Sequence, residues 1–229
     1  MEKSEIDKSN IAHAYGEIPA SDFMPAKYHR RCLAMVEPYL SPGARVADLG
    51  CSYGSLTELL AQSPLQLEVH GCDLAPALVD AASLRVPSAR LQVADMTALP
   101  YADDFFDSAF LIEVMEHLDQ PVTALSEIKR VLKPGSYCLI TMPNRDWFHF
   151  KSYDAKRRRF QPVDDHFYSV REAEDLIRSS GLSILRVRGG ENLYFGGGLP
   201  RLLEQVALAL YPPLHRRMKR MMLLVRKPE

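Results

Sequence analysis

The chain has 229 residues, 47% of them apolar, a net charge of −1 and a mean hydropathy of −0.16. That length and composition suit one α/β domain with a substantial core and exclude a disordered chain. No apolar run reaches the length needed to span a bilayer, and the start, Met-Glu-Lys-Ser-Glu, is polar and charged, so neither a spanning helix nor a secretion signal is expected.

The charge is divided unevenly. Residues 1–144 carry 11 Lys+Arg against 19 Asp+Glu, while residues 145–229 carry 17 against 10. A basic second half would suit an anionic substrate or surface, although a solvated exterior is the commoner meaning of such a bias. The four cysteines, Cys32, Cys51, Cys72 and Cys138, form no close pair and no Cys-x-x-Cys. Buried free thiols in the cytoplasm are expected from that spacing, and a zinc site is not.

Residues 26–40 read as helical. From Arg45 onward strand and helix signals alternate. Strands are predicted near 45–49, 67–72, 90–94, 107–112 and 136–142, with helices near 55–62, 76–84 and 122–132. Pro76 and Pro121 stand at first-turn positions, and Lys133-Pro134-Gly135 closes the third of these helices. A helix over Val170–Ser180, ended by Gly181, then precedes strands at Ser183–Val187 and Met221–Val225. This alternation predicts an α/β fold, a doubly wound, mostly parallel seven-stranded sheet with helices on both faces. Residues 1–44 are expected to lie over the ligand cleft, 45–190 to form the core, and 191–229 to add an amphipathic helix and a last strand.

The most informative stretch is Val46-Ala47-Asp48-Leu49-Gly50-Cys51-Ser52-Tyr53-Gly54. It reads as a strand, a glycine turn and a helix start, which together seat a nucleotide-like ligand. Gly50 and Gly54 permit close backbone approach and positive φ. Asp73 follows Gly50 by 23 residues at the end of the next strand, where a carboxylate can accept from both ribose hydroxyls. A dinucleotide turn would read Gly-x-Gly-x-x-Gly, but Ser52 stands at the middle glycine, and Asp48 would repel a phosphate while tolerating a cation. A nucleoside with a positive centre and no phosphate fits these residues.

At this point the chain resembles the class I S-adenosylmethionine-dependent methyltransferases of the type 11 kind, with a Rossmann-like fold. The resemblance runs over about residues 45–190. It includes Leu99–Asp107, Val131–Gly135 and Leu139–Pro143 in the family's order. It implies S-adenosylmethionine as cofactor, held by Asp48, Gly50, Cys51 and Gly54, with Asp73 on the ribose and Leu74 on the adenine face. Asp95 would accept from the adenine amino group, Met96 would pack beside the ring, and Glu113 would border the cofactor. Tyr15 and Tyr28 could close over it or serve as ordinary packing aromatics.

Glu113-Val114-Met115-Glu116-His117 follows the fourth strand at the carboxyl edge of the sheet. His117 is the candidate base for a methyl acceptor, with Glu113 and His166 as its neighbours in catalysis. In a helical turn Glu113, Glu116 and His117 share one face and could hold a divalent metal, with Asp164-Asp165-His166-Phe167 supplying a further ligand, His166 among them. The same residues resemble the ubiquinone-pathway O-methyltransferases and the RNA 3′-terminal 2′-O-methyltransferases. Glu-His-Leu at this place also occurs in methyltransferases that use no metal, and no metal is expected here. The resemblance implies methyl transfer to oxygen or nitrogen of a small molecule, with lipids and secondary metabolites among the candidates. The alternatives are a metal-assisted RNA 2′-O-methyltransferase and a non-catalytic binding member.

Lys156-Arg157-Arg158-Arg159, interleaved with Trp147, Phe148 and Phe160, would suit stacking and phosphate contact, but a pI near 6.7 argues against nucleic acid. Leu199, Leu202, Leu203, Val206 and Leu210 form an amphipathic stretch followed by Arg216, Arg217, Lys219 and Arg220. It could rest on an anionic membrane, and a helix packed on the domain is the simpler expectation. The sequence carries no signal for an oligomeric state.

Overall fold

The computed structural model describes residues 12–13, 26–147, 150–151, 165–190 and 206–229. Seven strands form one sheet: β1 (Arg45–Leu49), β2 (Glu68–Asp73), β3 (Arg90–Val93), β4 (Phe106–Ile112), β5 (Leu132–Pro143), β6 (Ser183–Gly190) and β7 (Arg220–Arg226). Their order is β3-β2-β1-β4-β5-β7-β6. The pairs among β3, β2, β1, β4 and β5 are parallel, and β7 runs antiparallel to both β5 and β6. The chain therefore winds one way from β1 and the other way from β4. The point between them is where doubly wound sheets open a crevice for ligands at the strands' carboxyl ends.

Among the described residues, α1 (Ala26–Val36), α2 (Ser55–Ala61), α3 (Pro76–Arg85), α4 (Pro121–Val131) and α5 (Val170–Ser179) cover the sheet. The prolines at the starts of α3 and α4 lose no hydrogen bond, because first-turn N–H groups have no helical acceptor. A capping box opens α5, with Glu172 N–H donating to Ser169 Oγ and Ser169 N–H donating to Glu172 Oε2. The central strand β4 is buried on both faces, as parallel strands under two helical layers must be. Its alternate residues serve the two cores. Ala109 and Leu111 pack with Leu125 and Ile128 of α4 and Ile177 of α5, whereas Phe110 and Ile112 pack with Tyr28, Cys32 and Val36 of α1 and Leu56 and Leu60 of α2.

Three expectations change in the structure. The first helix ends at Val36, and residues Glu37–Tyr39 form a 3₁₀ turn instead. Pro38 cannot donate to the helix ladder and disfavours helical geometry in the residue before it. Lys133-Pro134-Gly135 does not stand apart as a turn but joins β5, whose first residue Leu132 pairs with Phe106. Gly135 N–H donates to Lys227 O and Lys227 N–H to Ser136 O, which draws the segment against the end of β7. Within the amphipathic stretch, residues 206–210 are helical but bury Leu208, against Met218 and Leu214, while Val206 and Leu210 face solvent. Leu199, Leu202 and Leu203 lie outside the described residues, as do Tyr15, Phe148, Lys156–Phe160 and Asp164. Trp147 is buried, so it packs inside the domain and offers no stacking platform.

Candidate active site

The glycine turn is built by the register of β1 against β2. Leu49 pairs with Cys72, and the N–H groups of both Gly50 and Cys51 then donate to the Cys72 carbonyl at 2.8 and 2.9 Å. This carries Ser52 to the end of β2, where its N–H donates to Asp73 Oδ2 at 2.9 Å. Gly50 (φ +81°), Ser52 (φ +48°) and Gly54 (φ +77°) take left-handed conformations through the turn. Gly54 needs its lack of a side chain twice over, since a Cβ there would sit 3.0 Å from the Ala82 Cβ of α3. Gly54 caps α2, whose first turn follows directly.

Asp73 is the anchor of this turn. Its Oδ2 takes the Ser52 N–H and its Oδ1 takes the Ala75 N–H at 3.0 Å, so both oxygens are oriented and each keeps a lone pair for a ligand hydroxyl. Burial raises its pKa, partly offset by these backbone donors. Ser52 Oγ is buried and bonds to nothing among the described residues, a polar atom that a ligand would satisfy. At the end of β3, Asp95 Oδ1 accepts from the N–H and the hydroxyl of Thr97, which fixes the carboxyl group beside Ala94, itself bonded to Asp73 O. Leu74 is half-buried; Cys51 and Met96 are buried, Met96 in the core that holds Leu99 and Tyr101. These donors, acceptors and glycines fit a nucleoside.

Asp48 does not stand in the turn as an open charge. It is buried at 2% exposure beneath the turn, accepting from Thr57 Oγ1 at 2.7 Å, and so ties α2 to β1. Burial is the main reason its pKa is pushed up to about 6, with the Asp73 carboxylate adding to the shift. A raised carboxyl pKa means that ionisation costs stability in the folded state. The cost is absent below the ordinary value of 3.8, grows between there and about 6, and is complete above. A shift of about two pKa units corresponds to roughly 3 kcal/mol. Asp48→Asn keeps an acceptor for Thr57, so its unfolding free energy relative to wild type should rise by about 2 kcal/mol between pH 4 and pH 7. Urea unfolding at the two pH values checks this, and a difference that does not change with pH would refute it.

Beyond β4 the expected helical face does not form. Glu113 has φ +58°, which is incompatible with the first residue of a helical turn, and the 3₁₀ turn begins only at Met115. Glu113 turns its carboxylate to the Arg220 guanidinium at the start of β7 and forms an ion pair there. Thr141 Oγ1 donates to it at 2.9 Å and Tyr28 Oη at 3.4 Å. Glu113 is thus separated from Glu116 and His117, and among the described residues no three His, Cys, Asp or Glu are gathered to hold a metal. Arg220 is 6% exposed, so it leaves the predicted basic surface, and Arg216 pairs with Glu174 at 2.8 Å.

The partner that the structure gives His117 is Asp165. His117 Nδ1 lies 2.7 Å from Asp165 Oδ1, and its Nε2 lies 3.9 Å from Glu116 Oε1. A protonated His117 would lower the Asp73 pKa slightly, against the larger upward effect of burial. His166, by contrast, is exposed and tilts against the Tyr168 ring at 4.6 Å. Its N–H donates to Glu116 O at 2.7 Å, so its backbone rather than its ring serves the site. The Glu113–Arg220 and His117–Asp165 pairs escaped the sequence reading. A charged residue at the first position of a predicted strand, and an acidic residue in a segment already named as a ligand source, were the only signals for them.

Comparison with known proteins accords with this geometry. Residues 47–140 match the family described as a methyltransferase domain. The ubiquinone biosynthesis O-methyltransferase of Cereibacter sphaeroides is 32% identical over 158 residues, 64% of this chain and 63% of that protein. The malonyl-[acyl-carrier protein] O-methyltransferase of Halorhodospira halophila is 37% identical over 107 residues, 45% of this chain and 36% of its own length. The chain thus spans less than two thirds of the length of these curated relatives. Among solved structures, an S-adenosylmethionine-dependent methyltransferase of Thermotoga maritima aligns at a TM-score of 0.67 and 19% identity, covering 95% of this chain and 99% of that one.

Proposed function

We propose that this chain is a class I S-adenosylmethionine-dependent methyltransferase and that it transfers a methyl group from that cofactor to a hydroxyl oxygen of a small molecule. The observation that carries the proposal is Asp73, with both carboxylate oxygens oriented by backbone N–H groups beside a turn of left-handed residues at the switch point of the sheet. When bound, the cofactor supplies a methyl group on a sulfonium, already an excellent leaving group. The protein then has to hold the nucleoside, align the acceptor and exclude water.

Asp73 takes the ribose hydroxyls, Asp95 the adenine amino group, and Ser52 Oγ a polar group near the turn. His117, 17% exposed at its side chain, faces the acceptor and takes its proton. Oxygen is favoured over nitrogen because the two curated relatives named above are O-methyltransferases and because a hydroxyl, unlike a neutral amine, needs a base. The acceptor is a small molecule by the same analogy. Four buried free thiols suit a reducing compartment such as the cytoplasm. No helix among the described residues is long and apolar enough to cross a membrane.

Native mass spectrometry of the purified protein, followed by calorimetric titration with S-adenosylhomocysteine, tests the reading. Co-purified or added cofactor at micromolar affinity is expected. A protein that takes up neither S-adenosylmethionine nor S-adenosylhomocysteine would not be a methyltransferase.

A further inference from the structure

We propose that the segment Val206–Leu214, together with the outer edge of β6, is a surface that seats the protein on an anionic phospholipid bilayer. The proposal stands on this surface alone and does not rest on the methyl-transfer reading.

The run Val-Ala-Leu-Ala-Leu-Tyr-Pro-Pro-Leu at 206–214 contains no charged residue, and the fold hides little of it. Residues 206–210 are helical, Tyr211 N–H donates to Ala207 O at 2.8 Å, and a 3₁₀ turn follows over Pro212–Arg217. Leu208 turns inward onto Met218 and Leu214. Leu210 is left 80% exposed, Tyr211 60% and Val206 47%. A fixed frame holds these side chains out. Asn144, buried at the end of β5, donates from Nδ2 to Arg216 O at 2.9 Å and to Met218 O at 2.8 Å. Gly189 N–H on β6 donates to His215 Nδ1 at 3.3 Å, and Arg216 pairs with Glu174 of α5. With both flanks tied, the apolar side chains are displayed rather than folded back on the domain. Leucine and tyrosine presented this way gain by entering an apolar layer, with the phenol hydroxyl left at its wet boundary.

The charge around this apolar face selects its partner. Ser183–Gly190 and Val206–Arg220 contain no Asp or Glu but carry Arg186, Arg188, Arg216, Arg217, Lys219 and Arg220. Arg220 is paired with Glu113 and Arg216 with Glu174. Arg186, Arg188 and Arg217 are exposed, and Arg188 adjoins the Gly189–His215 contact that ties the segment to β6. An apolar face bordered by charge of one sign matches a negatively charged leaflet, where apolar burial and attraction to lipid phosphates add. A second copy of the chain would bring the same positive charge to the contact, which opposes self-association here. Pro143, Arg220 and Gly190 stand in register across β5, β7 and β6. The surface therefore lies at the carboxyl end of the parallel strands, the end that carries the glycine turn, and seating it brings that end of the sheet near the bilayer.

The test is co-flotation of the purified protein with phosphatidylcholine vesicles, with and without phosphatidylglycerol, at low and at physiological salt. Binding is expected to the mixed vesicles and not to phosphatidylcholine alone, and it should weaken as salt rises. Leu210→Asp, at a side chain exposed enough to leave folding unchanged, should weaken binding by about tenfold or more. Arg186→Gln with Arg188→Gln should weaken it by about twentyfold, close to fivefold for each charge. Absence of binding to the mixed vesicles would overturn the proposal, as would equal binding to both kinds or binding that Leu210→Asp leaves unchanged. Sedimentation velocity without lipid covers the rival occupant. A wild-type dimer that Leu210→Asp makes monomeric would assign the face to a second copy and overturn the bilayer. Because flotation needs no cofactor, a protein that binds vesicles but no S-adenosylhomocysteine would defeat the methyltransferase reading and leave this proposal supported.

Discussion

Replacing Arg220 by leucine should remove about 3–5 kcal/mol of stability, the cost of leaving one member of a buried ion pair without its counter-charge. Arg220 is 6% exposed and Glu113 is closed in by Thr141 and Tyr28, so water cannot take over the role of the guanidinium. The guanidinium also lies 5.7 Å from the Tyr28 ring centroid, a cation–π distance, and Tyr28 is itself fully buried in the core under α1. For a domain of this size the loss corresponds to a fall in melting temperature of roughly 10 °C or more. It is also a large part of the 5–15 kcal/mol that typically holds a domain folded. The double variant Glu113→Gln with Arg220→Leu separates pairing from packing. Removing both charges leaves Thr141 an acceptor on the glutamine and should recover more than half of the lost stability. Urea unfolding of the two variants checks this. A single variant within 1 kcal/mol of wild type would mean that the pair does not hold β7 to the end of β4.

The same pair explains why part of the site could be read from sequence and part could not. The glycine turn and Asp73 are separated by one helix and one strand, and their meeting follows from the parallel pairing that any β-α-β unit makes. Asp95 is reached by the same logic through one further unit. Glu113 and Arg220 are 107 residues apart and meet only because β7 inserts antiparallel beside β5, with Pro143 opposite Arg220 and Thr141 opposite Met222. Nothing in Arg216-Arg217-Met218-Lys219-Arg220 distinguishes the one arginine that enters the core from those that stay outside. The helical face at Glu113 failed for a related reason. Spacing of i, i+3, i+4 assumes helical dihedrals from the first residue, and Glu113 takes a left-handed conformation that the spacing cannot reveal. For the apolar stripe ending at Leu210, periodicity found a face, but the surface that receives it, Leu214 and Met218, chose Leu208.

Asp73→Ala should weaken S-adenosylhomocysteine binding by at least about a hundredfold while changing folding stability far less, and the contrast between the two effects identifies its role. Two hydrogen bonds from ligand hydroxyls to a carboxylate are worth about 1.5–3 kcal/mol each, which exceeds a hundredfold in affinity when both are lost. The variant also releases the Ser52 N–H, and with it one restraint on a turn that holds three left-handed residues in place for the ligand. On the stability side the terms oppose one another. The Ser52 and Ala75 N–H groups lose their acceptor, but the buried carboxylate, whose pKa burial has raised, no longer has to stay ionised. The like-charge effect of Asp73 on Asp48 disappears as well, so Asp48 should titrate at lower pH in the variant. Asp73→Asn should fall between the two proteins in affinity, because one oxygen still accepts while the amide group presents donors to hydroxyls that need acceptors. Calorimetric titration paired with urea unfolding reads both quantities on the same samples. Unchanged affinity in Asp73→Ala would remove Asp73 from the cofactor site. A collapse of stability with affinity would recast it as the structural tie between β2 and the glycine turn.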